Sequence, residues 1–233
     1  SAGIVNAYRY AAGGTILAAR RALGGGAAVN LGGGFHHAFA DKAEGFCYLN
    51  ELAVAARVLQ REGRVTRVAV IDLDVHQGNG TARIFRDDPT VFTLSIHQEA
   101  NYPVPKETSD LDVPLANGTT DSEYLAALDP ALARVWEFAP ELVLYQAGAD
   151  PYREDLLGGL ALTRDGLAER DRRVLEGCAD RRVPAVVTLG GGYARDVADT
   201  VAIHAATCRI AIAAGPACGP WGQVIRVGGE RAS

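Results

Sequence analysis

Asp72, Asp74 and His76 occupy alternate positions in the segment Val70-Ile71-Asp72-Leu73-Asp74-Val75-His76. In extended backbone that spacing sends all three side chains to one face and leaves Leu73 and Val75 on the other, apolar one. Two carboxylates held side by side away from water are costly unless a cation or hydrogen-bond donors compensate. Carboxylate and imidazole on one face is ordinary ligation for a divalent metal, and the competing reading is a hydrogen-bonded polar network with no ion. A third ligand has to come from elsewhere in the chain. Asp150, at the end of Gly148-Ala149-Asp150, is the natural candidate. Asp74, His76 and Asp150 then form a set with an open position for water and substrate, and Asp72 is left to orient a histidine.

Other residues suited to chemistry fall at comparable places. His36 and His37 follow Gly32-Gly33-Gly34-Phe35, and beside a metal they read as a paired acid and base, tuned by Asp72 for one ring and Asn79 for the other. A carboxylate partner favours the imidazolium, whereas an amide holds a tautomer without that bias, so the two pKa values are expected to differ. Tyr193 follows Gly190-Gly191-Gly192, which lets the backbone turn sharply and aim a phenol at a developing oxyanion. On its own it would read as an aromatic rim residue. The glycine runs lack a G-x-G-x-x-G pattern and a P-loop lysine, so they are turns and not a nucleotide site. His204 lies within a predicted helix and reads as structural.

These residues need a scaffold that brings strand ends together. The segments VAVIDLDV, VFTLSI, LVLYQAG and AVVTLG are nearly continuous apolar runs, as expected for strands covered on both faces. Strands are predicted over 27–31, 67–75, 90–96, 141–147, 184–189 and 223–227. Helices are predicted over 4–23, 51–62, 81–85, 122–138, 163–181 and 194–214, with a Pro-, Asn- and Asp-rich loop over 99–121. The fold class is therefore α/β, a mostly parallel sheet flanked by helices on both faces. Its ligand site belongs in the crevice beyond the carboxyl ends of the strands, where His36, His37, His76 and His97 all fall. With no repeat or linker in 233 residues, one domain spanning 1–233 is the simplest organisation.

Composition narrows the partners. Lys plus Arg number 23 against 28 for Asp plus Glu, a net charge of −5 that offers no polyanion-binding face, so direct nucleic-acid binding is not expected. Every apolar run is interrupted by Gly, Arg, Asp or His, so no membrane span is expected either. Cys47, Cys178, Cys208 and Cys218 form no C-x-x-C pair and, with no signal peptide evident, read as reduced thiols of a cytoplasmic protein.

The motifs GGGFHHAFADKAEGFCYLN (32–50), VIDLDVHQGNGTA (70–82), YQAGADPYREDLLGGLALT (145–163) and TLGGGYA (188–194) resemble, in content and order, those of the histone deacetylase family, which includes acetylpolyamine amidohydrolases. The resemblance runs from about Gly13 to Arg209. Gln77 after the histidine, Asn79 and LGGGFHH look closest to class IV and its bacterial relatives. The resemblance implies an arginase/deacetylase fold and a catalytic domain lacking the family's initial strand–helix region. It implies a catalytic zinc on Asp74, His76 and Asp150, the histidine pair His36 and His37 with partners Asp72 and Asn79, and Tyr193 as the transition-state tyrosine. It also implies an acyl channel of Gly45, Phe46, Tyr102 and Leu157. A structural potassium would be held by backbone or side-chain oxygens of Asp72, Asp74, His76, Ser95 and Ile96.

The function expected is zinc-dependent hydrolysis of an acyl group from N-acyl-lysine in proteins. Acylated polyamines or other small amines are the neighbouring substrate class. A binuclear manganese hydrolase of arginase type would need further Asp or His ligands. A catalytically silent acyl-lysine reader would be expected to have lost one of the ligands, histidines or the tyrosine. Oligomeric state is not legible.

Overall fold

The computed structural model describes residues 2–214. Among them, the apolar runs form six strands: β1 (Ala27–Asn30), β2 (Val68–Asp72), β3 (Val91–Gln98), β4 (Leu111–Leu115), β5 (Leu142–Gln146) and β6 (Ala185–Thr188). Six helices accompany them: α1 (Ala2–Ala22), α2 (Glu51–Arg61), α3 (Asn79–Phe85), α4 (Asp121–Glu137), α5 (Arg164–Asp180) and α6 (Val197–Ala214). The strands make one sheet in the order β1-β6-β5-β2-β3-β4, parallel at every pairing.

Successive residues of the central strands point into two different cores. Val68 and Val70 of β2, with Leu142 and Leu144 of β5, pack among Ala18, Ala19 and Ala22 of α1 and Leu52, Ala55, Ala56 and Leu59 of α2. Ala69 and Ile71, with Val143 and Tyr145, pack under α4, α5 and α6 through Leu128, Leu132, Val174, Leu175 and Ile203. A strand with an apolar layer on each side has no face left for polar residues, which is why these segments read as unbroken hydrophobic runs. Local signals start the helices: the Asn50 side chain accepts the Ala53 N–H at 3.0 Å at the head of α2, and Glu123 accepts the Thr120 N–H at 2.8 Å at the head of α4.

Strand order locates the crevice. From β2 the chain steps outward to β3 and β4, then returns to the other flank of β2 as β5 and continues to β6. The boundary between β2 and β5 is thus a topological switch point, where loops leave in opposite directions and a cleft opens between them. The register sets Asp72 level with Gln146 on β5 and Ser95 on β3. Residues just beyond these positions are brought face to face.

The structure departs from the sequence reading in several places. β2 stops at Asp72, not Val75, so Asp74 and His76 sit in an irregular segment past the strand end. Leu73 and Val75 are nevertheless fully buried, so the apolar/polar alternation survives without ladder pairing. The expected loop over 99–121 contains β4, a short edge strand paired with β3 alone, and an edge is where a strand tolerates Pro114. The reading that no apolar segment approaches span length fails for α6, since Val197–Ala214 is long and apolar enough by length and composition, with a mean hydropathy of 1.4. Its inner stripe, Ile203, Thr207 and Ala211, is buried against the α5 side of the sheet. The strand expected over 223–227 and Cys218 lie outside the described residues. Cys47, Cys178 and Cys208 are free thiols.

Candidate metal centre and catalytic cleft

Asp74 and His76 leave the end of β2, and Asp150 leaves the end of β5. Each offers one ligand atom, and the three atoms lie within 4.8 Å of one another. Asp74 and Asp150 are almost wholly buried. Asp150 Oδ1 accepts the Val75 N–H at 2.9 Å, while its Oδ2 has no hydrogen-bond partner and faces His76 Nδ1 at 3.4 Å. Asp74 Oδ1 is 3.0 Å from the same Nδ1. Gly191, at φ 65°, closes the third side, and a Cβ there would run into the carboxylates of Asp150 and Asp74.

Electrostatics mark this as a place that wants positive charge. Burial, followed by the Asp74 charge, pushes the Asp150 carboxyl up to about 7. Burial opposes protonation of His76, but its contacts with Asp150 and Asp74 overcome that and raise it to about 10. An orphaned buried carboxylate oxygen beside a second carboxylate and an imidazole fits one divalent cation, on a set that borders the cleft.

The histidine pair stands beside this set with contrasting partners. His36 Nδ1 lies 2.6 Å from Asp72 Oδ2, and His37 Nδ1 lies 2.7 Å from Asn79 Oδ1. The rings are 4.0 Å apart, centroid to centroid. Burial works against the His36 charge, yet Asp72 and Asp74 outweigh it and lift the pKa to about 9. His37, buried and next to a charged His36, falls to about 3 despite its bond to Asn79. The two pKa values are thus driven apart, His36 toward the imidazolium by its carboxylate neighbours and His37 toward the free base by burial and the His36 charge rather than by its amide partner.

Tyr193 borders the same cleft on the triple-glycine turn, and its N–H donates to Asp155 Oδ2 at 2.6 Å. Burial and the charges of Asp150 and Asp74 raise its phenol above the ordinary tyrosine value, so it stays a hydrogen-bond donor. The cleft holds about 530 Å³. Gly45, Phe46, Tyr102 and Leu157 all line it, with Tyr102 set edge-on to His37 at 4.9 Å.

Of the residues singled out from the sequence, His36, His37, Asp74, His76, Asp150, Tyr193 and the four channel residues border one cavity, with Asp72 and Asn79 directly behind the histidines. Ser95 and Ile96 do not reach the cleft. They lie on β3 beside β2, where Ser95 Oγ meets His97 Nδ1 at 3.0 Å. His97 is at the expected sheet edge but buried away from the cleft. His204 Nε2 is 3.3 Å from Gly191 O, against the back of the glycine turn.

Several residues that matter here carried no signal by type or spacing. Glu51, wholly buried, accepts the N–H groups of Gly34 (2.5 Å) and Phe35 (3.0 Å) and so anchors the turn leading into the histidines. Arg170 donates to the carbonyls of Leu73 (3.2 Å) and Gly148 (2.7 Å), tying together the two segments that bear the carboxylates. Asp171 holds that guanidinium at 2.8 Å. Glu44 binds Asn79 and Tyr102.

The family model for the histone deacetylase domain matches residues 1–208. An uncharacterised protein of Picosynechococcus sp. is 48% identical over 91% of this chain and 71% of its own length. Histone deacetylase 2 of Arabidopsis thaliana is 39% identical over 83% of this chain, which spans only 52% of that protein. Among solved structures, an acetylpolyamine aminohydrolase from Burkholderia pseudomallei superposes with a TM-score of 0.74 at 30% identity, covering 86% of this chain and 60% of its own.

Proposed function

The chain belongs to the histone deacetylase family, and on that premise we propose that it is a zinc-dependent amidohydrolase. Its substrate would be N-acyl-lysine in a peptide or protein, released as the free amine and a carboxylate. The observation that carries this is the Asp74–His76–Asp150 set, with its unpartnered Asp150 oxygen, at the floor of a cleft bordered by a neutral histidine and a protonated phenol.

Asp74, His76 and Asp150 would hold the zinc. When bound, such an ion polarises the acyl carbonyl and acidifies water. His37 donates its Nδ1–H to Asn79, which leaves Nε2 free to take a proton from the attacking water. The tetrahedral oxyanion accepts a hydrogen bond from the Tyr193 hydroxyl. As the C–N bond breaks, His37 returns its proton to the departing amine nitrogen. His36, an imidazolium on Asp72, stabilises the negative charge without giving up its proton. Potassium on Asp72, Asp74, His76, Ser95 and Ile96 belongs to the same proposal as a structural ion, not a reactant.

Acylated polyamine is the second reading, supported by the likeness to an acetylpolyamine aminohydrolase. The test is turnover of the zinc-loaded protein on acetyl-lysine peptide, myristoyl-lysine peptide and acetylated polyamine. The proposal expects the peptides to be cleaved fastest. Preference for the polyamine would transfer the assignment to small amines, and no turnover on any, with hydroxamate binding retained, would make the protein a reader of acyl-lysine.

A further inference from the structure

Three donors converge on Glu44, which immediately precedes the cleft-lining Gly45. Asn79 Nδ2 donates to Glu44 Oε1 at 2.8 Å, the Tyr102 hydroxyl to the same oxygen at 2.9 Å, and Lys42 Nζ to Oε2 at 2.6 Å. Gly45 itself, at φ 54°, packs so closely on the His37 ring that a Cβ would collide with it. The segment carrying the carboxylate therefore also seats the imidazole.

Resting on the amidohydrolase reading, we propose that Glu44 is a positioning residue that fixes which nitrogen of His37 carries the proton, by holding Asn79 in one of its two amide orientations. An asparagine side chain is nearly symmetric in shape, and only its neighbours decide which end is oxygen. A carboxylate only accepts, so Asn79 must turn its NH2 toward Glu44 and its oxygen toward His37. That oxygen also only accepts, so His37 Nδ1 must bear the hydrogen and Nε2 must present its lone pair to the cleft. Were Asn79 to flip, its oxygen would face the carboxylate and its NH2 would face Nδ1. The opposite tautomer would then be favoured, with no lone pair left for the reaction. The Lys42 bond outweighs the cost of partial burial and, with Tyr102 and Asn79, keeps Glu44 below its ordinary pKa and so a pure acceptor at neutral pH.

The direct test is the 15N imidazole spectrum of the protein as purified, comparing wild type with Glu44→Leu, Glu44→Ala and Glu44→Gln. Wild type is expected to show His37 as the Nδ1–H tautomer. The Leu and Ala variants should show a mixture, and Gln, which can still offer Asn79 an oxygen, should restore most of the wild-type signal. An unchanged tautomer in any folded variant without an acceptor at residue 44 overturns the proposal. Kinetics give a second reading: Glu44→Leu should lower kcat by about 10-fold. In an Asn79→Asp background either oxygen accepts from His37 and no amide needs orienting, so the same change should cost nothing or raise kcat. Equal losses in both backgrounds would make Glu44 merely structural and overturn the inference. If wild type cleaves no acylated amine, the amidohydrolase reading fails, while the tautomer spectrum still decides the role of Glu44.

Discussion

The floor and the rim of the cleft are built by opposite means. Asp74 and Asp150 on the floor are at most 2% exposed and are held by backbone N–H groups, by the glycine turn and by Arg170 behind them. At the rim, Phe46 is 80% exposed, Leu157 45%, Tyr193 43% and Tyr102 37%, with Tyr102 bonded to Glu44 and the Tyr193 backbone to Asp155. Buried charge is tolerable only in one arrangement, which ties the floor to the strand ends and fixes its geometry. Exposed apolar side chains on loops carry no such constraint, so the rim is where substrate preference can vary without disturbing the chemistry.

The sharpest way to break this division is at the buried histidine proposed as the base. His37→Ala should reduce kcat by about 10²–10⁴ while leaving metal content and KM near wild type, as steady-state kinetics with elemental analysis would read. Retained turnover would move the base elsewhere. Tyr193 tests the boundary, because it is exposed like a rim residue yet is assigned chemistry. Tyr193→Phe should cost about 10²–10³ in kcat with metal retained, and a change in KM alone would return it to the rim. Metal uptake separates the two regions by pH. With Asp150 raised to about 7 and His76 to about 10 in the metal-free protein, protons compete with the cation. Affinity should therefore rise with pH through 7, about tenfold per unit for each proton displaced, whereas rim variants leave that slope unchanged. Calorimetry in buffers of different ionisation heat would count the protons. The smallest effect belongs to the rim itself: Phe46→Ala or Leu157→Ala should raise KM by about tenfold or less with kcat preserved, and a large kcat loss would mean the rim positions the reacting amide.

Much of the floor was legible in the sequence because its chemistry forces residue type. Two alternating carboxylates and an imidazole at a strand end, paired histidines after glycines, and a tyrosine after three more are hard to explain as packing. Asp150 followed from the expectation that its strand would abut β2, and the parallel register bears that out. What could not be read is what depends on partners distant in the chain. Glu44, Glu51 and Arg170 are ordinary charged residues until the fold sets them against Asn79, Gly34 and the carbonyls of Leu73 and Gly148. β4 escaped because an edge strand of five residues with Pro114 has the composition of a loop. The end of β2 was misjudged because Leu73 and Val75 are buried for core packing after the ladder has stopped.

One cation shared by Asp74, His76 and Asp150 underlies the proposed chemistry, and metal stoichiometry tests it most directly. After zinc loading and removal of excess, elemental analysis should find one zinc per chain in the wild type and in Tyr193→Phe, and almost none in Asp150→Ala. Zinc retained by Asp150→Ala, two manganese ions per chain, or no tightly held metal in the wild type would contradict it.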